Sequence, residues 1–262
     1  MVVRRLHEHV ATHNWFAVAV DLAIVMLGVF LGLQANNWNQ ARVARADAAA
    51  YRAQIIENLR VNEADIGVRI GYYGQVRKHA LAALAAIETP GAVKEEAFIV
   101  DSYQATQVWQ RPLVQTAYDE MSSAGLGRSI GGAETRQRVT GFYTQMQQFN
   151  VTALSNTDYR ERARRAIPFA VQERMRAACG DIVDELPSGV LRARLPDRCR
   201  PGLEPAMIAR AAARLSATPG LDQDLTRHLA DIDQKLNGLG NFSRRAAALR
   251  QHLEAVEKKA GE

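Results

Sequence analysis

The sequence predicts an all-α protein in which one N-terminal transmembrane helix continues into a long-helix antiparallel bundle. Three features of the 262 residues predict this class. An apolar stretch near the N-terminus is long enough to cross a bilayer. Apolar residues then recur every three, four or seven positions through most of the chain, which is the spacing of amphipathic helices. No segment shows a convincing strand pattern, and no internal repeat is recognisable.

The composition excludes several classes of protein. With 47% hydrophobic and 23% charged residues, the chain is neither a disordered tail nor a protein with many membrane spans. The 33 Lys and Arg residues exceed the 28 Asp and Glu residues by a formal charge of +5. These basic residues form no dense block and have few aromatic neighbours, unlike a typical nucleic-acid surface. We therefore expect no nucleic-acid partner.

The first element is the predicted span at residues 15–35, which follows a short N-terminal segment, residues 1–14. The span holds one charge, Asp21, and as a helix at ~1.5 Å per residue its length is about 31 Å, close to the hydrocarbon thickness of a bilayer. A buried soluble helix and a cleaved signal peptide are the alternatives. Small residues do not occupy positions −1 and −3 together at a plausible cleavage site. We interpret the stretch as an uncleaved membrane anchor in contact with lipid.

A stripe of polar and small residues follows one face of this helix. Its members are three or four positions apart and, at ~100° per residue, stay aligned; they are Asp21, Val25, Gly28, Gly32, Asn36 and Asn39. Gly28 and Gly32 form a G-x-x-x-G pair, which lets two helices approach closely in lipid. An acid at membrane depth usually faces a partner or water. The stripe predicts association with a second copy or with another membrane protein; otherwise Asp21 simply reaches the headgroups.

The end of the span carries a recognisable element, G-L-Q-A-N-N-W-N-Q-A-R at residues 32–42. It resembles an uncharacterised family of bacterial single-span membrane proteins, in which an acid, an apolar run and a G-x-x-x-small pair lead into Q-x-N-N-W-N. The matching positions are Asp21, Gly28, Gly32, Gln34, Asn36, Asn37, Trp38 and Asn39. Gln40 stands where an acid is more usual in the family. A looser match covers residues 118–125, Ile130 and the pair Phe142-Tyr143, with Ala124 inserted between serine and glycine.

The resemblance implies a membrane-anchored helical protein and no particular activity. Trp15 and Trp38 stand near the two ends of the span. An indole suits the membrane interface, where its ring is buried and its N–H stays in contact with water. We expect both tryptophans to act as interface anchors.

The remaining chain, residues 36–262, reads as one helical extramembrane domain. The first helix continues to Glu88 and stops at Thr89-Pro90-Gly91, and three glycines near residue 70 would allow a bend in it. Further helices are predicted at 94–110, 115–124, 134–165 and 168–178. Residues 180–204, rich in proline and glycine, form an irregular loop. Thr218 caps a last helix, which Gly238 and Gly240 could divide.

The two cysteines, Cys179 and Cys199, bracket the irregular loop. A disulfide here would close a loop of about 20 residues and stabilise the fold by roughly 3 kcal/mol in the chain-entropy model. Two free buried thiols are the alternative. If the cysteines pair, the domain faces an oxidising compartment, which in bacteria is the periplasm.

The sequence shows no catalytic, metal-binding or cofactor-binding constellation. Two cysteines cannot form a structural zinc site. His9 and His13 are four positions apart and could share a metal, but the residues between them do not form H-E-x-x-H, so polar spacing next to the membrane is the preferred interpretation. Solvent exposure is expected for the three histidines on long helices, His79, His228 and His252. The glycine-rich loop after residue 124 is interpreted as a helix C-cap, since it follows a helix and lacks G-K-[ST]. Four arginines at 160–165 are interpreted as a solvated surface. Aromatic residues of the middle third are interpreted as core, although they could line a pocket.

These observations favour a non-enzymatic protein of the bacterial inner membrane that acts by binding. Flanking arginines stand on both sides of the span, so the positive-inside rule does not decide the topology. The cysteines favour a cytoplasmic N-terminus and a periplasmic bundle. We expect an interaction or scaffold module; the alternative is a periplasmic ligand-binding sensor that signals through a partner membrane protein.

Overall fold

The computed structural model describes residues 15–153 and 157–261. The elements are eight α-helices, a 3-10 helix at Leu126–Arg128 and one strand pair; in order they are α1 (Trp15–Glu88), α2 (Glu95–Gln104), α3 (Thr116–Ser123), α4 (Ala133–Ala153), α5 (Asp158–Ala166), α6 (Phe169–Cys179), β1 (Ile182–Glu185), β2 (Leu191–Arg194), α7 (Pro205–Ser216) and α8 (Leu221–Gly261). The all-α class predicted from the sequence is confirmed. Residues 1–14, predicted to form the cytoplasmic segment, lie outside the described residues.

Helix α1 is one continuous helix of 74 residues that joins the apolar stretch to the bundle. Its three central glycines, Gly67, Gly71 and Gly74, do not interrupt it, and they lie on its exposed side. Residues Ile55, Leu59 and Ile66 of its opposite face are fully buried. Ile70, although apolar, lies on the exposed side and is 37% exposed.

Helix α8 packs antiparallel along α1. Three ion pairs connect the two helices: Arg60 with Glu254 at 2.8 Å, Arg250 with Glu63 at 2.7 Å and Arg77 with Asp233 at 2.5 Å. In these three pairs the residue number of the α8 partner falls as the residue number of the α1 partner rises, as an antiparallel arrangement requires. The helix α8 is not divided at Gly238 or Gly240.

Polar side chains of α1 hold the irregular segments by pairing with their backbone. Asn62 donates from Nδ2 to the carbonyl of Val114 and accepts from its amide, both at 2.8 Å. Gln75 forms the same two-bond pair with Leu195, at 3.3 and 2.8 Å. Each amide group therefore satisfies one backbone donor and one acceptor that a helix or sheet would otherwise satisfy.

Two helix boundaries differ from the sequence prediction because tertiary hydrogen bonds compete with the helix. Helix α2 stops at Gln104 instead of residue 110, and neighbouring elements bind its C-terminal carbonyls. Tyr159 donates to Ser102 O at 3.1 Å, and His228 binds Ala105 O at 2.8 Å. The predicted helix at 134–165 is two helices, since Thr157 is extended and its hydroxyl bonds His228 at 2.7 Å.

The predicted irregular stretch at 180–204 contains a short antiparallel hairpin. Strands β1 and β2 pair in a register that places Val183 opposite Ala193, and Gly189 turns the chain with φ of 76°. The prediction of no strand is therefore wrong at this place. Four-residue strands with mostly exposed side chains carry too little hydrophobic alternation to be recognised. Helix α7 was also missed, although Pro205 in its first turn is a helix-start signal.

We expect the substitution Asn62→Ala to lower the free energy of unfolding by about 1–3 kcal/mol, because it leaves the partly buried backbone amide and carbonyl of Val114 without partners. The side chain of Asn62 is only 1% exposed. The measurement is urea unfolding of the detergent-solubilised full chain. Asn58→Ala is the matched control: Asn58 stands one turn earlier and makes one 3.5 Å bond to Thr116, so its loss should change little. Equal effects of the two substitutions would contradict this assignment.

Candidate functional site

The apolar part of α1 is not buried against the bundle. Within the described residues, one helix is long and apolar enough to cross a membrane; its apolar window has a mean hydropathy of 2.2, and none of it is buried. Every residue from 22 to 43 is exposed, and the first fully buried side chain described in α1 is that of Ala48. An exposed apolar surface of this extent needs a lipid or protein environment.

The predicted association stripe lies on this part of α1, where Asp21 is partly exposed and the other members are exposed. A Cβ atom added at Gly28 or Gly32 would meet no atom within 4 Å, so the chain itself does not use the space that these glycines leave. The other predicted members belong to the same helix; they are Asp21, Val25, Asn36 and Asn39. The helix thus brings the stripe together, while its association remains a prediction.

The two predicted interface anchors are well exposed. Trp15 and Trp38 are 69% and 66% exposed. Trp38 follows Trp15 by 23 positions, which corresponds to about 35 Å of helix at ~1.5 Å per residue and matches the separation of two membrane interfaces. Arg42 lies 6.0 Å from the centre of the Trp38 ring. We define residues 36–47, between the apolar stretch and Ala48, as the stem.

The structure pairs Cys179 with Cys199. Their Cα atoms are 5.1 Å apart, and the bond closes a loop of sequence separation 20 around the hairpin. Cys179 is fully buried, and its carbonyl accepts from Gln104 Nε2 at 2.9 Å. The disulfide therefore fastens the hairpin to the end of α6 and, through Gln104, to α2.

The residues considered for chemistry have mainly structural contacts. His79 lies 2.7 Å from Asp101 and links α1 to α2, and His252 lies 2.9 Å from Thr135. The described residues hold no group of three or more His, Cys, Asp or Glu side chains that could bind a metal. The N-terminal histidines, His7, His9 and His13, lie outside the described residues. Gly125, with φ of 71°, follows α3 in the left-handed conformation expected of a C-cap.

The arginines at 160–165 are less solvated than predicted. Arg162 forms an ion pair with Asp224 of α8, and Arg160 donates to Thr106 O. Arg164 donates to Thr106 Oγ1 at 2.8 Å and lies 4.7 Å from the centre of the Tyr103 ring. Three of these side chains therefore dock α5 onto its neighbours.

A cleft of about 580 Å³ opens between α1, α4 and α8. The segment after α2 and the start of α5 complete it. Its walls are polar and aromatic; the lining comprises Tyr73, Val76, Gln107, Val108, Gln145, Gln148, Phe149, Thr157, Arg160, Arg227, His228, Asp231, Ile232, Gln234, Lys235, Gly238, Asn241, Phe242 and Arg245. Helix α8 contributes about half of these, at intervals of three and four residues.

The apolar wall of the cleft is formed by stacked rings. Phe149 of α4 lies parallel to Phe242 of α8 at a centroid distance of 5.0 Å. Phe242 stacks in turn on Phe142 at 4.8 Å. Gly238 stands one turn before Phe242, and a Cβ atom there would lie 3.9 Å from the Phe149 ring. The absence of a side chain at Gly238 keeps the cleft open beside the aromatic wall.

The charged side chains of the cleft are predominantly cationic. Arg160, Arg227, Lys235 and Arg245 line it, against one acid, Asp231. Lys235 is half-buried, and its Nζ lies 4.6 Å from the centre of the Tyr73 ring. Burial lowers the pKa of Lys235, with a further decrease from Arg69 and an opposing increase from Asp231. Burial likewise lowers the pKa of Arg160, and the neighbouring Arg164 adds to that effect.

One wall of the cleft contains a buried histidine that sequence reasoning placed at the surface. His228 is 7% exposed and stacks on Tyr159 at a centroid distance of 5.2 Å. Since a carbonyl only accepts, Nε2 donates to Ala105 O, and in the neutral ring Nδ1 accepts from the Thr157 hydroxyl. Burial lowers the pKa of His228 below its ordinary value. The ring is therefore held neutral as a link between α2, α5 and α8.

The cleft was missed because its polar residues resemble an ordinary solvated helix face. The core stripe of α8, for example Leu225 and Leu239, is recognisable from its spacing. The residues beside that stripe become a site only when α4 and α5 cover them. The aromatic cluster of the middle third is correctly predicted as core for Phe142, Tyr143 and Tyr159, whereas Phe149 lines the cleft.

Comparison of the chain with protein-family models, with curated proteins and with solved structures finds no match in any of the three.

We expect stability to fall as the pH drops below about 6.5, in part because of His228. Its pKa is lower in the folded than in the unfolded chain, so the unfolded chain takes up the proton first. One such group can lower the free energy of unfolding by at most about 1.4 kcal/mol for each unit by which the pH falls. The measurement is urea unfolding between pH 7.5 and pH 5, in wild type and in His228→Gln, whose dependence on pH should be shallower.

His252→Gln provides the control for this experiment. His252 also contacts a threonine hydroxyl, that of Thr135. This variant controls for the loss of a contact between an imidazole and a threonine hydroxyl, so that the comparison isolates the burial of His228. If His228→Gln keeps the full wild-type dependence, burial of a neutral His228 is not a source of the acid sensitivity.

Proposed function

We propose that this protein is a single-span, membrane-anchored binding module whose helical bundle lies in the bacterial periplasm. It acts by binding a partner or ligand rather than by catalysis. The observation that carries the proposal is the continuity of α1, which passes from an exposed apolar stretch into the core of the bundle without a break. The anchor and the bundle thus share one helix. A partner bound at one end of α1 is therefore positioned relative to the other end of that helix.

The disulfide supports the periplasmic location. Disulfides persist in oxidising compartments and are rare in the bacterial cytosol. Cys179 is fully buried beside the hairpin, so the bond is part of the packed fold. A periplasmic bundle also places residues 1–14 on the cytoplasmic side of the membrane.

We expect the variant Ser123→Cys to be labelled by a membrane-impermeant maleimide in intact cells. Ser123 is exposed at the end of α3, on the bundle side of the span. The native cysteines remain paired in this variant and should be labelled only after reduction. Labelling of the introduced thiol only after lysis would contradict a periplasmic bundle and would favour a cytoplasmic scaffold. The wild-type chain, treated in parallel without reductant, controls for labelling of the native cysteines.

The stripe of α1 supports association within the membrane. Gly28 and Gly32 leave a shallow groove on the helix, and a partner backbone could approach closely there. Asp21 lies on the same face, where a polar partner would relieve the cost of an acid in lipid. The partner is a second copy of this chain or another membrane protein.

We expect Gly32→Leu to reduce crosslinking between spans in native membranes by at least about threefold, because small-residue packing contributes on the order of 1 kcal/mol. Ala23→Leu is the matched control: it adds the same side chain on the opposite face and should leave crosslinking unchanged. Asp21→Leu should act as Gly32→Leu does. Unchanged crosslinking in both stripe variants would overturn the association proposal.

The cleft favours a second candidate function, that of a ligand-binding sensor. A concave site of about 580 Å³ with an aromatic wall and several charged groups has the size and composition typical of small-molecule sites. A ligand bound there would contact both α1 and α8. Its binding would therefore be sensed by the same helix that enters the membrane.

A further inference from the structure

We propose that the cleft binds a small organic anion that carries an aromatic or otherwise apolar body, with Lys235 and Arg227 as the principal anion-binding side chains. This inference rests on the ligand-binding candidate above. Three features of the cleft support it: the charges of its lining, its aromatic wall and its position in the molecule.

The cations of the cleft differ from those elsewhere on the same helices. Along the contact of α1 with α8, Arg60, Arg77 and Arg250 each have a carboxylate partner within 4.0 Å. In contrast, Lys235 and Arg227 form no ion pair with a described residue. Asp231, the acid in the described lining of the cleft, lies four positions from each of them along the helix but forms no ion pair with either.

The two remaining cations of the cleft are held by neutral acceptors. Arg160 donates to the carbonyl of Thr106, and Arg245 donates to Gln145 Oε1. These bonds orient the guanidinium groups without neutralising them. With His228 neutral, the described lining carries four positive charges and one negative charge. An anion entering the cleft would compensate that excess.

Lys235 is suited to bind an anion in a partly dry environment. Its ammonium group lies against the face of Tyr73, at 4.6 Å from the ring centre, and burial lowers its pKa. A carboxylate, sulfonate or phosphate brought to this ammonium would form a charge-assisted hydrogen bond in place of lost hydration. An ion pair that is partly shielded from water is stronger than one at the surface.

The aromatic wall determines the second half of the ligand. The stacked rings of Phe149 and Phe242 border the cleft, and Gly238 leaves room beside them. A planar or aliphatic group can lie against this wall while the acidic group reaches Lys235. The volume of about 580 Å³ accommodates a small molecule.

The position of the cleft indicates that the ligand comes from the aqueous compartment. Tyr73 follows Ala35, the last residue of the predicted span, by 38 positions. This separation corresponds to about 57 Å along a helix at ~1.5 Å per residue. A lipid of the anchoring bilayer would have to leave that membrane to reach the cleft. We therefore assign a water-soluble organic anion.

The test is calorimetric titration of the full chain in nanodiscs of zwitterionic lipid, with empty nanodiscs as the blank. The probes are 2-naphthoate, the matched cation 2-naphthylmethylamine and inorganic sulfate. We expect saturable binding of 2-naphthoate, and much weaker binding of the other two because one lacks the negative charge and the other lacks the apolar body. Lys235→Met should weaken 2-naphthoate binding by about tenfold or more, as loss of a charge-assisted hydrogen bond implies.

Three further variants separate charge, shape and general effects. Arg227→Gln, at an exposed position, should weaken binding by a smaller factor of about three to ten. Gly238→Leu should abolish binding by filling the space beside Phe149 while it leaves every charge in place. Lys259→Met removes an exposed lysine of the same helix outside the cleft and should not change affinity. Circular dichroism and thermal unfolding of each variant verify that it is folded.

Each outcome of these titrations contradicts a different part of the proposal. If the amine binds as well as 2-naphthoate and Gly238→Leu blocks both, the cleft remains a ligand site and the anionic assignment fails. If folded Lys235→Met binds 2-naphthoate with wild-type affinity, Lys235 is not an anion-binding residue and the proposal fails. If the amine binds saturably and 2-naphthoate does not, this inference fails and the sensor candidate stands. If none of the three probes binds saturably, both this inference and the sensor candidate fail. The location of the bundle is judged separately, by maleimide labelling of the Ser123→Cys variant.

Discussion

Burial of one long face of α1 is the constraint on which the rest of the bundle depends. Between Ala48 and Ala86 this face presents a row of fully or nearly fully buried apolar side chains. A helix of this length with an apolar face is not stable by itself in water and requires a long partner. Helix α8 meets that requirement over most of its 41 residues. The shorter helices then cover the two open sides of the α1–α8 pair.

The same helix also organises the segments that are not helical. Asn62, Gln75 and Tyr73 lie on α1 and bind backbone groups of Val114, Leu195 and Trp109. Buried irregular backbone is costly unless its polar groups are satisfied. A buried polar residue on α1 is therefore not a defect of the core. It allows a loop or hairpin to approach the core closely without secondary structure of its own.

Local pattern was sufficient for the long elements and insufficient for those that depend on distant contacts. The extents of α1 and α8 follow from periodicity and from the Thr-Pro-Gly signals at residues 89–91 and 218–220, and the cysteine pair follows from its position around a loop. The end of α2 and the break before α5 do not, because His228 contributes to both from about 70 to 120 residues away. The cleft could not be predicted from the sequence for the same reason. Its cations on α8 have no local feature that distinguishes them from Arg244, which is solvent-exposed on the same helix.

The exposed stem has a consequence for geometry. Because residues 36–47 belong to one uninterrupted helix, the direction in which the bundle faces is determined by helical phase relative to the association stripe. Each residue added to or removed from the stem would rotate the bundle about the helix axis by ~100° and move it by ~1.5 Å along that axis. The position of the bundle along the helix axis would therefore change little, whereas its rotation about that axis would change greatly. In an assembly held together through Gly28 and Gly32, the number of stem residues decides whether the clefts of neighbouring copies face each other or face apart.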